Sequence, residues 1–276
     1  MKPTFNIEFD HVAAGQLNLY LLIGEQQIAY TAIDNDGNCI AVAVYHTQKQ
    51  HDMDDTASLL KQIVAQQPLL KEGLCKIVLI FAYPQVILVP DAYMEYQAKK
   101  DMLQMVFGQM DTMQIKTDFN AAKAMHIVYA IPKSIDTVLN YIFSADIITH
   151  QYALLPNIVE PTNHYLYSVF NQNSVTILLV KNGAVQIMQQ FNYTTPEDVA
   201  YYFLQVCASF EVESSSLTVI LNGMIDKDSA LYTELHKYFL GLQFATLPPG
   251  FTYPEVLTNT YPQHYFSNLF ALAACV

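Results

Sequence analysis

The residues able to do chemistry are few, and most sit in turns. His46, His51 and Asp52 fall close together, and Asp10 precedes His11, so imidazole and carboxylate ligands for a divalent metal are available. Neither set has the i, i+4 spacing that puts two ligands on one helix face, so solvated loop side chains are the expectation and no metal site is assigned. The run Ser214-Ser215-Ser216 lacks the GxSxG pattern of a nucleophile elbow and reads as a turn between a helix and a strand. The acidic stretch 52–55 (DMDD) suits the positive end of the helix that follows it. No catalytic residue is assigned. The polar positions that remain are Gly24, Asn171, Asn173 and Ser174 in two short turns, and Asn222 with Gly223 at the end of an apolar run.

Those turns belong to a repeat. Residues 18–47 (NLYLLIGEQQIAYTAIDNDGNCIAVAVYHT) and 165–194 (YLYSVFNQNSVTILLVKNGAVQIMQQFNYT) each read as strand, polar turn, strand, tight turn and strand. Tyr20 falls opposite Tyr167, Ile28 opposite Val175 and Thr47 opposite Thr194. A helical pattern follows each block, with Ala57, Leu60, Ile63 and Val64 on one face in the first copy, and Val199, Phe203, Val206 and Phe210 in the second. The second helix is announced by Thr195 as N-cap, Pro196 in the first turn and Asp198 three residues after the cap. Buried strands then return at 76–82 (KIVLIFA) and 217–223 (LTVILNG). Two copies of a βββαβ unit imply mixed sheets covered by helices, with each last strand parallel to its neighbour because it returns through a helical crossover.

Between the copies the pattern predicts a strand at 86–90 and a helix at 91–107, with an apolar stripe at Met94, Ala98, Met102 and Met105. A strand at 125–131, a helix at 133–144 and a strand at 147–155 follow. Pro161 and Thr162 mark the expected boundary between a first lobe, 1–160, and a second, 161–276. The second lobe adds a helix at 229–241, a short strand, an irregular proline-rich stretch and a terminal helix at 263–274.

Composition narrows the partners. The 276 residues are 52% hydrophobic and 14% charged, which excludes a disordered chain. Acidic side chains number 25 against 13 basic ones, all of them Lys, for a net charge of −12. Such a chain repels polyanions and lacks the planar fork of Arg for phosphate, so nucleic acid is excluded as a partner. Cys39, Cys75, Cys207 and Cys275 form no CxxC pair and read as free thiols of a reducing compartment. No signal-like leader and no membrane-length apolar run is present, and the expected location is the cytoplasm.

A duplicated βββαβ unit with later α/β additions resembles the actin-like ATPase superfamily, also called the ribonuclease H-like fold. More narrowly, a small subdomain inserted near 83–123 and the C-terminal HYFSNLFALAAC segment are similar to an uncharacterised Bacteroidetes family of that fold, and more distantly to PilM-like pilus assembly proteins of bacteria. The resemblance implies α/β lobes and a nucleotide cleft between them. In working members the first hairpin of each lobe carries an Asp that positions Mg²⁺ or water, and small residues that let backbone N–H groups reach phosphate. Here Leu22 or Ile23 and then Phe170 stand at the acid's place. Only Gly24 is kept in the first turn, and Asn171-Gln172-Asn173-Ser174 has no glycine. The family's third element is a strand ending in two glycines against which adenosine lies. Its counterpart keeps Gly223, after Asn222, and has Met224 at the second place.

The resemblance therefore implies a pseudo-ATPase that binds no cofactor and acts through protein–protein contacts. Gly24, Asn171, Asn173, Ser174, Asn222 and Gly223 would be a vestigial nucleotide cleft. The alternative is a divergent ATP-binding protein or kinase, with Mg²⁺, in which Glu25 or Asp34 has moved into place. Met94, Met102, Met105, Met110 and Met113 crowd into the insert and suggest either its core or a soft partner surface. Tyr265, Phe266, Leu269, Phe270 and Leu272 suit packing into the second lobe better than a membrane anchor, because no basic residue accompanies them.

Overall fold

The computed structural model describes residues 3–9, 17–47, 53–71, 73–158 and 164–276. Asp10, His11, His51, Asp52 and the boundary expected at Pro161 and Thr162 lie outside the described residues. The chain divides into two compact units. The first runs to Leu154 and takes back Gly250–Pro254 and Val276, and the second comprises Leu155–Pro249 with Glu255–Cys275.

The first unit opens with β1 (Phe5–Glu8), β2 (Leu17–Gly24), β3 (Gln27–Asp34), β4 (Cys39–His46), α1 (Met53–Gln66) and β5 (Leu74–Ala82). It continues with β6 (Val86–Pro90), α2 (Lys99–Phe107), β7 (Met113–Asn120), β8 (Met125–Pro132), α3 (Lys133–Ile142) and β9 (Ile147–His150), and the unit boundary falls inside α4 (Gln151–Ile158). A six-stranded sheet has the order β1-β4-β3-β2-β5-β9. β2, β3 and β4 are joined by hairpins and run antiparallel, whereas β5 returns after α1 and pairs parallel with β2. β2 to β4 are buried almost throughout, the pattern of strands covered on both faces. A separate antiparallel sheet, β6-β8-β7, packs Val89, Leu103, Met110, Met113, Val128 and Ala130 into its own core. Strand β8 lies at its centre, although the sequence reading ends the insert at 123.

The second unit contains β10 (Tyr165–Phe170), β11 (Ser174–Lys181), β12 (Ala184–Asn192), α5 (Pro196–Ser209), β13 (Thr218–Gly223), α6 (Ala230–His236), β14 (Gly241–Phe244), α7 (Glu255–Asn259) and α8 (His264–Ala274). Its sheet order, β12-β11-β10-β13-β14, repeats that of β4-β3-β2-β5-β9. Ile23 pairs with Ile28 as Phe170 pairs with Val175, which fixes Ile23 and not Leu22 as the counterpart of Phe170. Each copy has a register shift at the same place, between Ala32 and Ile33 and between Leu179 and Val180. The second tight turn, with Asn182 and Gly183 both at positive φ, is one residue shorter than the first. Thr47, whose N–H meets the Gln26 carbonyl, therefore matches Tyr193, whose N–H meets that of Asn173, and not Thr194. Thr195, Pro196 and Asp198 form the expected capping box of α5. The apolar side of α8 is buried, Phe266, Phe270 and Leu272 completely.

Several elements differ from expectation. The helix foreseen from residue 91 starts at Lys99, because Asp91–Tyr93 form a 3-10 turn and Met94 is extended. Leu103 then enters the core and Met105 is 88% exposed, so the proposed stripe is not a face. The strand foreseen at 147–155 stops at His150 where the β-branched residues end, and α4 follows with Pro156 inside it. The helix at 229–241 is confined to Ala230–His236, and β1, β7 and α7 were not foreseen. All four cysteines are free. Burial pushes the thiols of Cys39 and Cys207 up to about 12 and about 11, whereas Cys75 is exposed.

Candidate functional site

In the first unit the hairpin between β2 and β3 offers no metal ligand at its base. Ile23 is completely buried and Leu22 nearly so. Gly24 is small for a structural reason, since a Cβ there would lie 3.1 Å from the Ala82 carbonyl oxygen of the paired strand. The Glu25 carboxylate accepts from Gln85 Nε2 at 3.0 Å, and its carbonyl accepts from Thr47 Oγ1 at 3.2 Å. Nearby, the buried Gln26 Oε1, Gln85 Oε1 and Tyr83 hydroxyl find no hydrogen-bond partner among the described residues. Burial, and then the charge of Glu25, push the Tyr83 phenol far above its ordinary range. An acidic, acceptor-rich turn of this kind is the wrong electrostatic partner for phosphate. Asp34 is likewise committed elsewhere. Its carboxylate accepts from the N–H of Asp36 at 2.9 Å, the N–H of Asn38 at 2.8 Å and Asn38 Nδ2 at 2.9 Å. Slight burial raises its pKa, but these donors outweigh that and hold it low.

In the second unit Phe170 occupies the equivalent position, 1% exposed, with its ring 6.2 Å from Phe203 and within a core cluster of that unit. The turn after it closes on itself. Asn171 donates its N–H to the Ser174 carbonyl at 2.8 Å, and Tyr193 donates its hydroxyl to the Asn171 carbonyl at 3.0 Å. Ser174 is buried, leaving Asn173 exposed at the tip.

The end of β13 lies beside that turn, since Phe170 is the parallel partner of Gly223 and Met224 donates its N–H to the Phe170 carbonyl at 2.9 Å. Asn222 is completely buried and fully engaged. Its Oδ1 accepts from Ser267 Oγ at 2.7 Å and from the Tyr167 hydroxyl at 3.2 Å, and its Nδ2 donates to the Ser168 carbonyl at 3.1 Å. Asn171, Asn173, Ser174, Asn222 and Gly223 are thus brought to one end of this sheet, whereas Gly24 belongs to the other unit.

Sequence reasoning missed the concavity that follows. A pocket of about 560 Å³ opens past β13 and β14, lined by Asp226, Lys227, Asp228, Ser229, Phe244 and His264 among others. The ends of parallel strands are where α/β sheets hold ligands. Ser229 caps α6 by accepting the Tyr232 N–H at 3.1 Å. Phe244 lies 4.3 Å from the His264 ring and 5.5 Å from Tyr232, measured between centroids. His264 Nε2 donates to the Ile225 carbonyl at 2.7 Å. Burial pulls the His264 pKa down, against the opposing pull of that carbonyl and of Asp226, so the ring is a neutral wall. Asp226 also accepts the Tyr265 hydroxyl, whose pKa burial and this contact push up to about 12. One Lys against two Asp gives the pocket no surplus of positive charge. The strand–glycine–turn–cap run at 218–229 was the signal that could have located it.

Among the described residues no group of three His, Cys, Asp or Glu side chains could hold a metal ion. His46 is buried, with Nδ1 on Thr4 Oγ1 at 2.8 Å and its pKa lowered by burial. No helix among the described residues is long and apolar enough to cross a membrane.

These features define a protein of the actin-like ATPase fold. The chain is similar to a Bacteroides thetaiotaomicron protein of actin-like ATPase fold and unknown function, with 16% identity and a TM-score of 0.77 over 95% of this chain and 97% of that one. It is also similar to a chain of the PilM–PilN type IV pilus biogenesis complex (12% identity, TM-score 0.65, 93% of this chain and 97% of that one). A third similar structure is the ethanolamine utilization protein EutJ from Carboxydothermus hydrogenoformans (8% identity, TM-score 0.55, 97% and 93%). No curated protein sequence matches. Residues 6–241 match the family model described as "Protein of unknown function (DUF3822)", and the chain belongs to that family.

Proposed function

We propose that this chain is a pseudo-ATPase: an actin-like body of two lobes, about 1–160 and 161–276, that does not hydrolyse nucleotide and acts through protein–protein contacts in a scaffold or assembly role. The observation that carries this reading is the pair Ile23 and Phe170, buried apolar side chains at matching places in the two copies. Hydrated Mg²⁺ needs oxygen ligands, and neither side chain has one. In the second turn the Asn171 N–H and the Asn171 and Asn173 carbonyls are already paired, and the first sets Glu25 where phosphate would come.

The contact role is supported by the insert, which exposes Tyr93, Tyr96, Met105 and Phe119. Of its five methionines only Met105 is fully exposed. Met110 and Met113 are in the small core and Met94 and Met102 pack against it. PilM, of the same fold, is in complex with PilN in its structure. Free cysteines accord with a cytoplasmic setting.

Thermal unfolding with and without ATP and Mg²⁺ tests the reading. The expected result is an unchanged melting temperature. A ligand present at a thousandfold excess over its Kd stabilises the folded state by about 4 kcal/mol, and a rise of that kind overturns the proposal.

A further inference from the structure

The two copies treat one sheet edge differently. In the first unit the outer edge of β4 is covered by β1, with Phe5 opposite Val44, Asn6 opposite Ala43, Ile7 opposite Val42 and Glu8 opposite Ala41. Registers within the two sheets place Ile187, Met188, Gln189 and Gln190 of β12 at the positions of Ala41 to Val44. No described strand pairs with the outer edge of β12. A bare strand edge presents unpaired N–H and C=O groups, which proteins blunt by shortening the strand or by placing charge or proline on it.

The other described edges show such protection. β1, β9 and β14 have four residues each, β6 ends in Pro90, and β7 carries Lys116 and Asp118. β12 has nine residues, AVQIMQQFN, with neither a charge nor a proline. Its register shift lies before Ile187, leaving Ile187 to Asn192 regular. Tyr193 donates inward to the Asn173 carbonyl, so the alternate residues Asn192, Gln190 and Met188 turn their backbone groups outward.

We propose that the β12 edge is a self-association surface, and that a second copy of this chain pairs its β12 antiparallel to the first about a two-fold axis, joining two five-stranded sheets. A second copy fits because an uncharged strand meets its own image without opposing like charges, despite a net charge of −12 on each chain. The adjoining helix supplies a matching apolar flank. The Phe191 ring on β12 stacks on Tyr202 at 4.7 Å, and Tyr201 beside it is 61% exposed. The inference stands apart from whether nucleotide binds.

Sedimentation of the full chain over a concentration series tests it, with amide exchange as a local readout. Gln190→Pro removes an outward N–H without touching the β11 ladder, and Gln189→Lys puts like charges near the two-fold axis. The wild type is expected to form a dimer in which the amides of Met188, Gln190 and Asn192 become protected as concentration rises. Both variants should weaken association by more than about tenfold, or about 1.4 kcal/mol. Gln189→Lys decides if Gln190→Pro fails to fold. A wild type monomeric throughout, or a dimer that leaves those amides unprotected or survives Gln189→Lys, overturns the proposal.

Discussion

Phe170 and Gly223 face each other at the ends of parallel strands so closely that a Cβ on Gly223 would stand 2.2 Å from the Phe170 carbonyl oxygen. Gly223 also has a φ of +81°, a region that L side chains rarely adopt. This glycine is therefore required by the protein's own backbone, whatever binds nearby. Gly223→Ala is expected to cost about 3 kcal/mol or more in urea unfolding. A loss below about 1 kcal/mol would mean that the strands part easily.

An acid placed at Phe170 should not bring nucleotide chemistry with it. Phe170→Asp would set an unpaired carboxylate among Val199, Phe203 and Leu221. A loss of about 4 kcal/mol is expected at neutral pH, easing as the medium is acidified and the carboxylate is neutralised. ATP with Mg²⁺ should add no stabilisation to the variant, as measured by thermal unfolding.

Asn222 and Asn173 were grouped by sequence but have different roles. Asn222→Ala takes one acceptor from the Tyr167 and Ser267 hydroxyls, which keep Asn268 Oδ1 and the His264 carbonyl, and one donor from the Ser168 carbonyl, at a cost of about 1–2 kcal/mol. Asn173→Ala, at an exposed turn, should stay within about 0.5 kcal/mol. Chemical denaturation of the two variants side by side reads the difference, and equal costs would refute it.

His150 supplies a pH dependence. Burial pulls its pKa down to about 3. Nε2 donates to the Tyr83 carbonyl at 3.0 Å and Nδ1 accepts the Tyr152 N–H at 3.2 Å, so the neutral ring is the one that fits. An unfolded histidine titrates near about 6.5. Between the two values the unfolded chain binds a proton that the folded chain refuses, so stability falls as pH drops through that window. Asp118, which accepts the His150 N–H at 2.7 Å and is raised by burial, offsets part of this loss at the acid end. In His150→Gln the plot of unfolding free energy against pH should be flatter over this range than in the wild type. Matching slopes would show that His150 is not the source.

The duplication was legible because hairpins leave a mark at every residue: two apolar runs, a turn of fixed length and a matched pairing. The insert was legible but missed, since β7 alternates Met113, Ile115 and Phe119 with Gln114, Lys116, Asp118 and Asn120, and only Thr117 departs from the pattern. The methionine stripe misled because its spacing ignored the break at Met94. The pocket was hidden for a topological reason. Asp226, Phe244 and His264 come from three separate segments of chain, and no local pattern joins them. Gly223 has a reason of its own to be small, the close approach of Phe170, which no sequence pattern reveals.

Of the four cysteines, Cys75 on β5 is exposed and Cys275 is half-buried, while Cys39 and Cys207 are sealed in and reluctant to ionise. A maleimide dye should therefore attach first at Cys75 under mild conditions, ahead of Cys275, whose thiol burial pushes up. Its emission would report on the first unit by itself, giving each substitution described above a spectroscopic signal that separates the two halves of the chain.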